Sequence, residues 1–298
     1  MGGFPLPRIE WGCTHMGPPP SLEALRRSLR IYRALSLLLV VTLLALLVGL
    51  RRAMAPEEEP DVEVFDVKAR FEAISRERSE AADFSQTYFV SGTATVHMHV
   101  MGRGQACPLH IHRKTHEATV IVSGQAAVQQ RWGERGAFAE RQGTHAPGEL
   151  IASPPLTGHA WFNRDEERML GNLVFATPPF DGNLYVTPEN PRMLQGSAPF
   201  VFQPTEALKA FTAGTEPAHE EPLPALQGRM TSVLLKGTYA LEATHQAPAL
   251  LYVAEGTGTL EAQKSNPLQP GQLWVLRRAV QLRAQSPLAL YLFRPPQP

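Results

Sequence analysis

The sequence predicts an all-β protein that consists of two small β-barrels preceded by a single apolar helix. The chain of 298 residues contains 23 glycines and 27 prolines, and so many turn formers among short apolar runs are typical of a β protein. A period-two alternation runs from Gln86 to about Phe202, and a second set of short strands is predicted from Met230 to Phe293. Residues 34–50 carry no charge, which predicts the helix.

The apolar segment ALSLLLVVTLLALLVGL, Ala34–Leu50, is long enough to cross a membrane as a helix. Four arginines lie between residues 26 and 33, and two follow at residues 51 and 52. Because positive charge is retained on the cytoplasmic side, this excess predicts a cytoplasmic N-terminus. We therefore expect a single-pass membrane protein whose barrels lie on the periplasmic or other extracytoplasmic side.

Three alternatives to this anchor remain open at the level of sequence. A signal peptide cleaved after Ala53-Met54-Ala55 is disfavoured by Pro56, although Arg26-Arg27 weakly resembles a twin-arginine export signal. A buried core helix is the second alternative. Translation from Met54 is the third, and it would give a cytosolic protein.

The composition and the two cysteines narrow the function classes. The formal net charge is zero and the sequence pI is near 7.2. Because the chain has no excess of lysine and arginine that could bind phosphates, we expect no nucleic-acid partner. Cys13 and Cys107 lie on opposite sides of the apolar segment, so we expect no disulfide between them.

The predicted organisation has six parts. Val67, Phe71 and Ile74 share one side of a short helix predicted between Asp66 and Asp83. A second helix is predicted at Glu206–Phe211 with Thr205 as its cap, followed by an acidic, proline-rich linker at 213–224. The parts are a cytoplasmic tail (1–33), a transmembrane helix (34–50), a tether with the short helix (51–83), a first β domain (84–203), a helix and linker (204–225) and a second β domain (226–298).

The first β domain contains a run that can bind a metal. In a strand, His110 and His112 point to the same face, and a short turn leads to another strand on which Glu117 can point to the same interior. Two imidazoles and one carboxylate would then converge. A second run begins at Gly148, and its His159 is a fourth candidate ligand.

These two runs resemble the paired motifs of the cupin family. Gly104, His110, His112, Glu117 and Gly124 match every position of the first motif. Gly148, Pro154, His159 and Asn163 match the second, with Leu156 where the family has glycine and with Gly158 as a candidate to serve the turn instead. The resemblance implies cupin-type jelly-roll barrels and one divalent transition metal held by His110, His112, Glu117 and His159. Such mixed nitrogen and oxygen sites suit Fe(II) or Mn(II), and Zn, Ni or Cu can also occupy them.

The resemblance also implies an internal repeat, that is, a two-cupin protein. Gly237, Gly256, Gly258 and Gly271 keep the glycine pattern in the second domain, whereas its four ligand positions are held by Ala243, His245, Ala249 and Leu282. One imidazole cannot hold a metal firmly, so we expect a degenerate second cupin with a packing role.

Several neighbouring residues are candidates for the substrate pocket. Thr119, Trp161 and Asn163 are predicted pocket walls, and His116 is either a rim residue that touches substrate or a ligand in place of Glu117. Val96, Met98 and Val100 make the more natural core face of their strand, so His97 and His99 are expected to point outward; with the strand reversed they would line the pocket, and a second metal would be conceivable. We expect Cys107 to be buried and inert, and we assign no chemistry to the loop 178–182.

The cupin resemblance implies a metal-dependent oxidoreductase of the dioxygenase type that acts on a small hydroxylated or aromatic compound. The alternative is a membrane-tethered module that binds or senses a metal or small ligand without turnover. Pairing through exposed strand edges makes a homodimer a reasonable expectation.

Overall fold

We analysed a computed structural model that describes residues 21–53, 59–77, 83–134, 137–187, 190 and 193–297. Its first helix, α1 (Leu22–Ala53), is longer at both ends than the predicted apolar segment. Residues 26–47 of α1 are long and apolar enough to cross a membrane, by length and composition alone. Most of the predicted cytoplasmic tail, part of the tether and the candidate cleavage site lie outside the described residues.

The remaining elements form one compact unit, residues 60–298. Short strands connected by turns dominate it, as the glycine and proline content predicts. The elements up to residue 212 are β1 (Val62–Asp66), α2 (Val67–Glu77), β2 (Phe84–Val90), β3 (Thr95–Met101), β4 (Ala106–Ile111), β5 (His116–Ser123), β6 (Ala126–Glu134), β7 (Ala137–His145), β8 (Leu150–Ser153), β9 (Gly158–Phe162), β10 (Leu170–Thr177), β11 (Leu184–Tyr185), β12 (Phe200–Phe202) and α3 (Pro204–Thr212). The elements that follow are β13 (Ala218–Pro222), a 3₁₀ turn (Leu226–Gly228), β14 (Met230–Leu235), β15 (Thr238–Leu241), β16 (Ala249–Glu255), β17 (Gly258–Glu261), β18 (Ser265–Leu268), β19 (Gln272–Leu276), β20 (Val280–Ala284) and β21 (Leu288–Phe293).

The strands form two barrels with the same strand order. The first barrel has a six-stranded sheet, β12-β8-β5-β10-β3-β2, and a five-stranded sheet, β11-β4-β9-β6-β7. The second has a six-stranded sheet, β1-β19-β16-β21-β14-β13, and a four-stranded sheet, β15-β20-β17-β18. The six-stranded sheets correspond strand for strand, and the predicted all-β architecture of two barrels preceded by an apolar helix is confirmed.

Matching glycine turns support the correspondence between the barrels. Gly148 has a φ of 90° and Gly271 a φ of 89°, values that favour glycine because it has no Cβ. The amide of Gly148 donates to Ile121 O at 2.8 Å, and that of Gly271 donates to Val253 O at 2.9 Å. Each turn therefore docks on the equivalent strand of its own barrel, β5 or β16.

The two six-stranded sheets pack against each other and bury an extensive apolar cluster. In β3, Val96, Met98 and Val100 are fully buried in this cluster, together with Tyr252 and Tyr291 of the second barrel. The helix α2 contributes Val67, Phe71 and Ile74 to the same cluster, on the side that the sequence predicts. Both faces of these sheets are buried, because the opposite face of each sheet forms the interior of its own barrel.

The structure differs from the predicted organisation in three places. Residues predicted as tether form β1, which pairs antiparallel with β19 and so belongs to the sheet of the second barrel. The predicted linker contains β13, which pairs with β14. Thr205 does not cap α3: Gln203 occupies the N-cap position without a side-chain hydrogen bond, and Thr205 Oγ1 donates to Glu255 Oε2 at 2.8 Å.

Candidate metal centre

Three histidines meet inside the first barrel. His110 lies near the end of β4, His112 follows that strand, and His159 lies on β9 directly opposite His110 in the strand register. All three side chains are buried, and one ring nitrogen from each lies within 4.8 Å of the others. Among the described residues this is the one group of three or more histidine, cysteine or carboxylate side chains that could hold a metal ion.

The ring orientation of each histidine is fixed by the backbone. Nδ1 of His110 lies 2.8 Å from Pro108 O, Nδ1 of His112 lies 3.0 Å from Gly182 O, and Nδ1 of His159 lies 3.3 Å from Thr157 O. A carbonyl accepts only, so each Nδ1 carries the proton and each Nε2 keeps a free lone pair. Nε2 of His112 and Nε2 of His159 are buried without a hydrogen-bond partner. These orphaned acceptors fit a metal ion, which would take up their lone pairs.

Glu117, the predicted fourth ligand, lies beside the three imidazoles on β5. Its Oε2 is 3.3 Å from Nε2 of His112 and 3.7 Å from Nε2 of His159. Its Oε1 accepts a hydrogen bond from Thr119 Oγ1 at 2.9 Å. Thr119 thereby holds one carboxylate oxygen and leaves the other directed at the histidines.

Burial and the carboxylate set the protonation of this group. Burial lowers the pKa of His110, and it lowers the pKa of His159 to about 4. Burial acts in the same direction on His112, but the Glu117 carboxylate, Gly182 O and Asp181 outweigh it and raise the pKa of His112. Burial would raise the pKa of Glu117, yet the surrounding imidazoles lower it below its ordinary value. An ionised carboxylate beside imidazoles that can release their protons when a metal ion binds is the donor set that a divalent cation requires.

The loop 178–182, to which the sequence analysis assigns no chemistry, contacts the metal site. Gly182 supplies the carbonyl that orients His112, and the Phe180 ring packs edge-on against the His112 ring with centroids 4.5 Å apart. Asp181 anchors the loop, because it accepts hydrogen bonds from the Lys114 amide and the Thr115 hydroxyl. Nothing in the residue pattern indicated this role, since the loop lies outside both motifs.

A cavity of about 300 Å³ adjoins His110 and His159 of the metal site. Its walls come from both sheets of the first barrel: His110, His159 and Trp161 on one side, and Glu117 and Thr119 on the other. Thr119 and Trp161 thus lie where the sequence predicts pocket walls. Cys107 also lines the cavity, with Sγ 3.7 Å from Nδ1 of His110, and burial raises the pKa of its thiol to about 11.

The expectation that His97 and His99 point outward is wrong. Both side chains line the cavity, because the apolar face of β3 packs against the second barrel and the interior of the first barrel receives the histidine face. The sequence pattern identifies a buried apolar face correctly but cannot tell a barrel interior from an interface between barrels. The second metal that this orientation made conceivable has no support among the described residues.

Two predicted pocket residues lie elsewhere. His116 is directed toward the second barrel, where its Nε2 lies 3.0 Å from Gln227 Nε2, so it is absent from both the cavity wall and the histidine group. Asn163 is buried, and its amide donates to Gly102 O and Arg168 O at 2.8 Å each. Asn163 therefore ties loops together and does not contact the cavity.

The one departure from the second motif is accommodated by Leu156 itself. Leu156 has a φ of 61°, the left-handed conformation that glycine adopts more easily, whereas Gly158 belongs to β9 and has no positive φ. The amide of Leu156 donates to His112 O at 2.8 Å. The turn that precedes His159 is thus linked directly to the segment that carries His112.

The second barrel has no comparable site in the part of the chain that the structure describes. Ala243, Ala249 and Leu282 are buried in its apolar interior with Trp274. His245, the remaining imidazole at a ligand position, lies on the surface, where its Nε2 is 2.9 Å from Asp61 Oδ1.

Comparisons with known proteins agree with this geometry. Residues 86–181 match the family model of the cupins. No curated protein matches the chain.

Three solved structures illustrate the similarity of fold. A cupin 2 conserved barrel domain protein from Leptotrichia buccalis superposes with a TM-score of 0.54 at 10% identity, covering 80% of this chain and 99% of that one. A salicylate 1,2-dioxygenase from Pseudaminobacter salicylatoxidans gives 0.56 at 12% identity, covering 81% and 86%. A mutant of that dioxygenase in complex with gentisate gives 0.54 at 13% identity, covering 94% and 93%. The chain therefore has the cupin fold, and the match to the cupin family model covers residues 86–181.

Proposed function

We propose that this protein is a metal-dependent oxidoreductase of the dioxygenase type that acts on a small aromatic or hydroxylated compound. One divalent metal, Fe(II) or Mn(II) in the first place and Zn, Ni or Cu as further candidates, would be held by His110, His112, His159 and Glu117. The observation that carries the proposal is the set of three buried imidazoles whose Nδ1 atoms are held by carbonyls and whose Nε2 lone pairs converge beside a carboxylate. The cupin fold, which dioxygenases share, supports the same class.

The metal would supply open coordination positions for substrate oxygen atoms and redox chemistry with dioxygen. The chain's own residues would position the substrate. Trp161, Val174 and Phe180 give the cavity apolar surface that suits a planar ring. The hydrogen bond from Thr119 keeps the Glu117 carboxylate in place. The polar side chains on the cavity walls would restrict a small organic molecule to few orientations.

Oxygen consumption by the metal-loaded full-length protein tests the proposal. Salicylate and gentisate are the first compounds to try, because the dioxygenase of similar fold is named for one and was solved with the other. We expect oxygen uptake with an oxidised product, and loss of uptake in His110→Ala. Uptake that persists in that variant would contradict the proposal. Stabilisation by ligands without any product would instead support a binding or sensing module.

We further propose that α1 anchors the protein in a membrane as a single span, with the N-terminus in the cytoplasm and the barrels outside it. The 22-residue candidate span of α1, residues 26–47, corresponds to about 33 Å of helix, close to the thickness of a bilayer core. Recovery in the membrane fraction after alkaline extraction, with barrels accessible to protease only from the extracytoplasmic side, would support this topology. Release of a shortened soluble protein would favour a signal peptide.

The second barrel is proposed to be a degenerate cupin whose role is to pack against the first. The strand order common to both barrels and their matching glycine turns support a two-cupin origin.

A homodimer through edge strands such as β7 is also proposed, and light scattering on the detergent-solubilised protein would test it.

A further inference from the structure

One wall of the cavity is polar although none of its residues is a proposed metal ligand. This wall lies opposite part of the metal site. Asn172 on β10 is directly opposite His99 on β3 in the strand register, and Val174 is opposite His97. Residues opposite each other in an antiparallel pair point to the same face, and all four side chains line the cavity. His110, His159 and Trp161 line it from the other sheet.

Asn172 carries an unused hydrogen-bond acceptor. Only 2% of the residue is exposed, and its Oδ1 is buried without a hydrogen-bond partner. A buried amide oxygen without a partner costs about 1–3 kcal/mol of stability. A side chain of this kind at the wall of a cavity is therefore positioned for a donor group supplied by a ligand.

The charges around this wall favour a hydrogen-bond donor over an anion. Among the described residues that line the cavity, none is lysine or arginine, whereas Asp83 and Glu117 are carboxylates. Oδ1 of Asp83 lies 3.9 Å from Nε2 of His99. Burial lowers the pKa of both His97 and His99, which leaves their imidazoles neutral near neutral pH and able to accept or donate a hydrogen bond.

The cavity is large enough to hold a single ring. A cavity of about 150 Å³ admits benzene, and this one has about 300 Å³. Val174 and Phe180 supply apolar contacts, and the Phe180 ring stands edge-on to His97 with centroids 5.5 Å apart. A monocyclic compound bound to the metal through two oxygens could thus present a second polar substituent to Asn172.

We propose that Asn172, with His97 and His99, forms a recognition subsite for a hydroxyl or amino group on the ring of a metal-chelating aromatic substrate. The inference rests on the proposed function, because it takes the three-histidine site to hold the other end of the substrate. It adds the prediction that the subsite discriminates against a carboxylate at the same ring position.

Calorimetric binding to the Zn(II)-loaded full-length protein in detergent tests the subsite without turnover. The probes are salicylate, gentisate, the amino analogue of gentisate, and the analogue with a second carboxylate in place of that hydroxyl. We expect the hydroxyl and amino compounds to bind about tenfold more tightly than salicylate. The dicarboxylate should bind more weakly than salicylate, because it would place its charge near Asp83.

Substitutions assign the preference to Asn172. Asn172→Leu keeps the size but removes the acceptor, so gentisate should lose its advantage over salicylate. The same variant should have a higher melting temperature, because an unpartnered buried oxygen is gone. Asn172→Asp retains an acceptor and should keep the preference. Val174→Ala, on the same face of the same strand, is the matched control and should change the affinity of all four probes by a similar factor.

The outcomes separate the two proposals. Failure to take up Zn(II) would contradict the metal site itself. Metal uptake with equal affinity for salicylate and gentisate, tighter binding of the dicarboxylate, or no binding of any salicylate would overturn the subsite and leave the metal site intact. A hydroxyl preference that survives in Asn172→Leu would also overturn the assignment to Asn172.

Discussion

The two barrels share their strand order and differ in what fills them. In the first, buried histidines, a buried carboxylate and Asn172 surround a cavity of about 300 Å³. In the second, leucines, valines, alanines and Trp274 fill the interior, and Leu282 and Ala243 stand at ligand positions. The outer faces of the two six-stranded sheets are alike, since both are apolar and pack against each other.

The difference indicates that a barrel with this strand order does not need a polar interior to be stable. Buried polar atoms without partners cost stability unless a ligand satisfies them. Among the described residues, the apolar interior of the second barrel contains no such atom, whereas the first interior has orphaned Nε2 atoms on His112 and His159. We infer that the first interior is maintained for binding and the second for packing.

Exchanging residues between equivalent positions should have the largest effect. Leu282→His places an imidazole in an apolar interior with no described partner, and we expect a loss of about 4 kcal/mol in the free energy of unfolding. The reciprocal change, His159→Leu, removes an orphaned nitrogen and should leave the metal-free protein as stable as before or more stable, while metal binding is lost. Chemical denaturation of both variants measures this. A stable Leu282→His protein would show that the second interior tolerates polar groups.

The next largest effect is expected within β3, where alanine substitutions at neighbouring residues should lower the free energy of unfolding by different amounts. Met98 is fully buried between the barrels, so Met98→Ala should lower the free energy of unfolding by about 3 kcal/mol. His99 lines the cavity and is only half-buried, so His99→Ala should cost less than about 1 kcal/mol. Denaturation curves of the two variants decide between this orientation and the reversed one, in which the larger loss would come from His99→Ala.

Removing the support of Glu117 should weaken metal binding in the first barrel without unfolding it. Thr119→Val deletes the hydroxyl that donates to Glu117 Oε1 and preserves the volume of the side chain. Loss of such an outer partner typically costs about tenfold or more in metal affinity. Competition with a chelator measures the affinity. Thr259→Val in β17 of the second barrel is a control, and we expect no change from it.

As pH falls, protonation of His112 should be the first event that weakens metal binding. Its pKa is raised, whereas the pKa values of His110 and His159 are lowered, so His112 is the first of the three to gain a proton as pH falls. A protonated imidazole cannot bind a metal, and the affinity should fall about tenfold per pH unit below the pKa of His112.

Asp181→Asn tests this assignment. Asp181 helps to raise the pKa of His112, so its neutral analogue should shift the loss of affinity toward more acidic pH. An unchanged profile, measured by chelator competition across pH, would contradict the role of the loop 178–182.

The sequence predicted the local features of this protein well and the pairing between distant segments poorly. Strand periodicity placed His110 and His112 on one face, and the resemblance to the second cupin motif added His159, which the structure brings beside them. The sequence pattern predicted that His97 and His99 point out of the first barrel. It failed because the alternation of apolar and polar residues in β3 does not reveal that the apolar face packs against a second barrel. It assigned β1 to a tether for a similar reason, since its partner β19 lies about 200 residues away in the chain.

Other errors arose where backbone conformation decided the outcome. Leu156 adopts a positive φ that its side chain does not predict, and the neighbouring Gly158 does not. The carbonyl of Gly182 orients His112 from 70 residues away, and no residue type marks a carbonyl for that role. His116 and Asn163 have the residue type and spacing of pocket residues, but they contact Gln227 and two backbone carbonyls respectively.

The most direct measurement is the metal content of the full-length protein, purified in detergent without chelator, beside two variants. We expect about one metal ion per chain in the wild type and none in His110→Ala/His112→Ala. We expect wild-type content in His245→Ala, whose imidazole lies on the surface of the second barrel. Wild-type protein that neither contains a metal nor takes one up on reconstitution would contradict the account. So would a metal that persists in the double variant or disappears in His245→Ala.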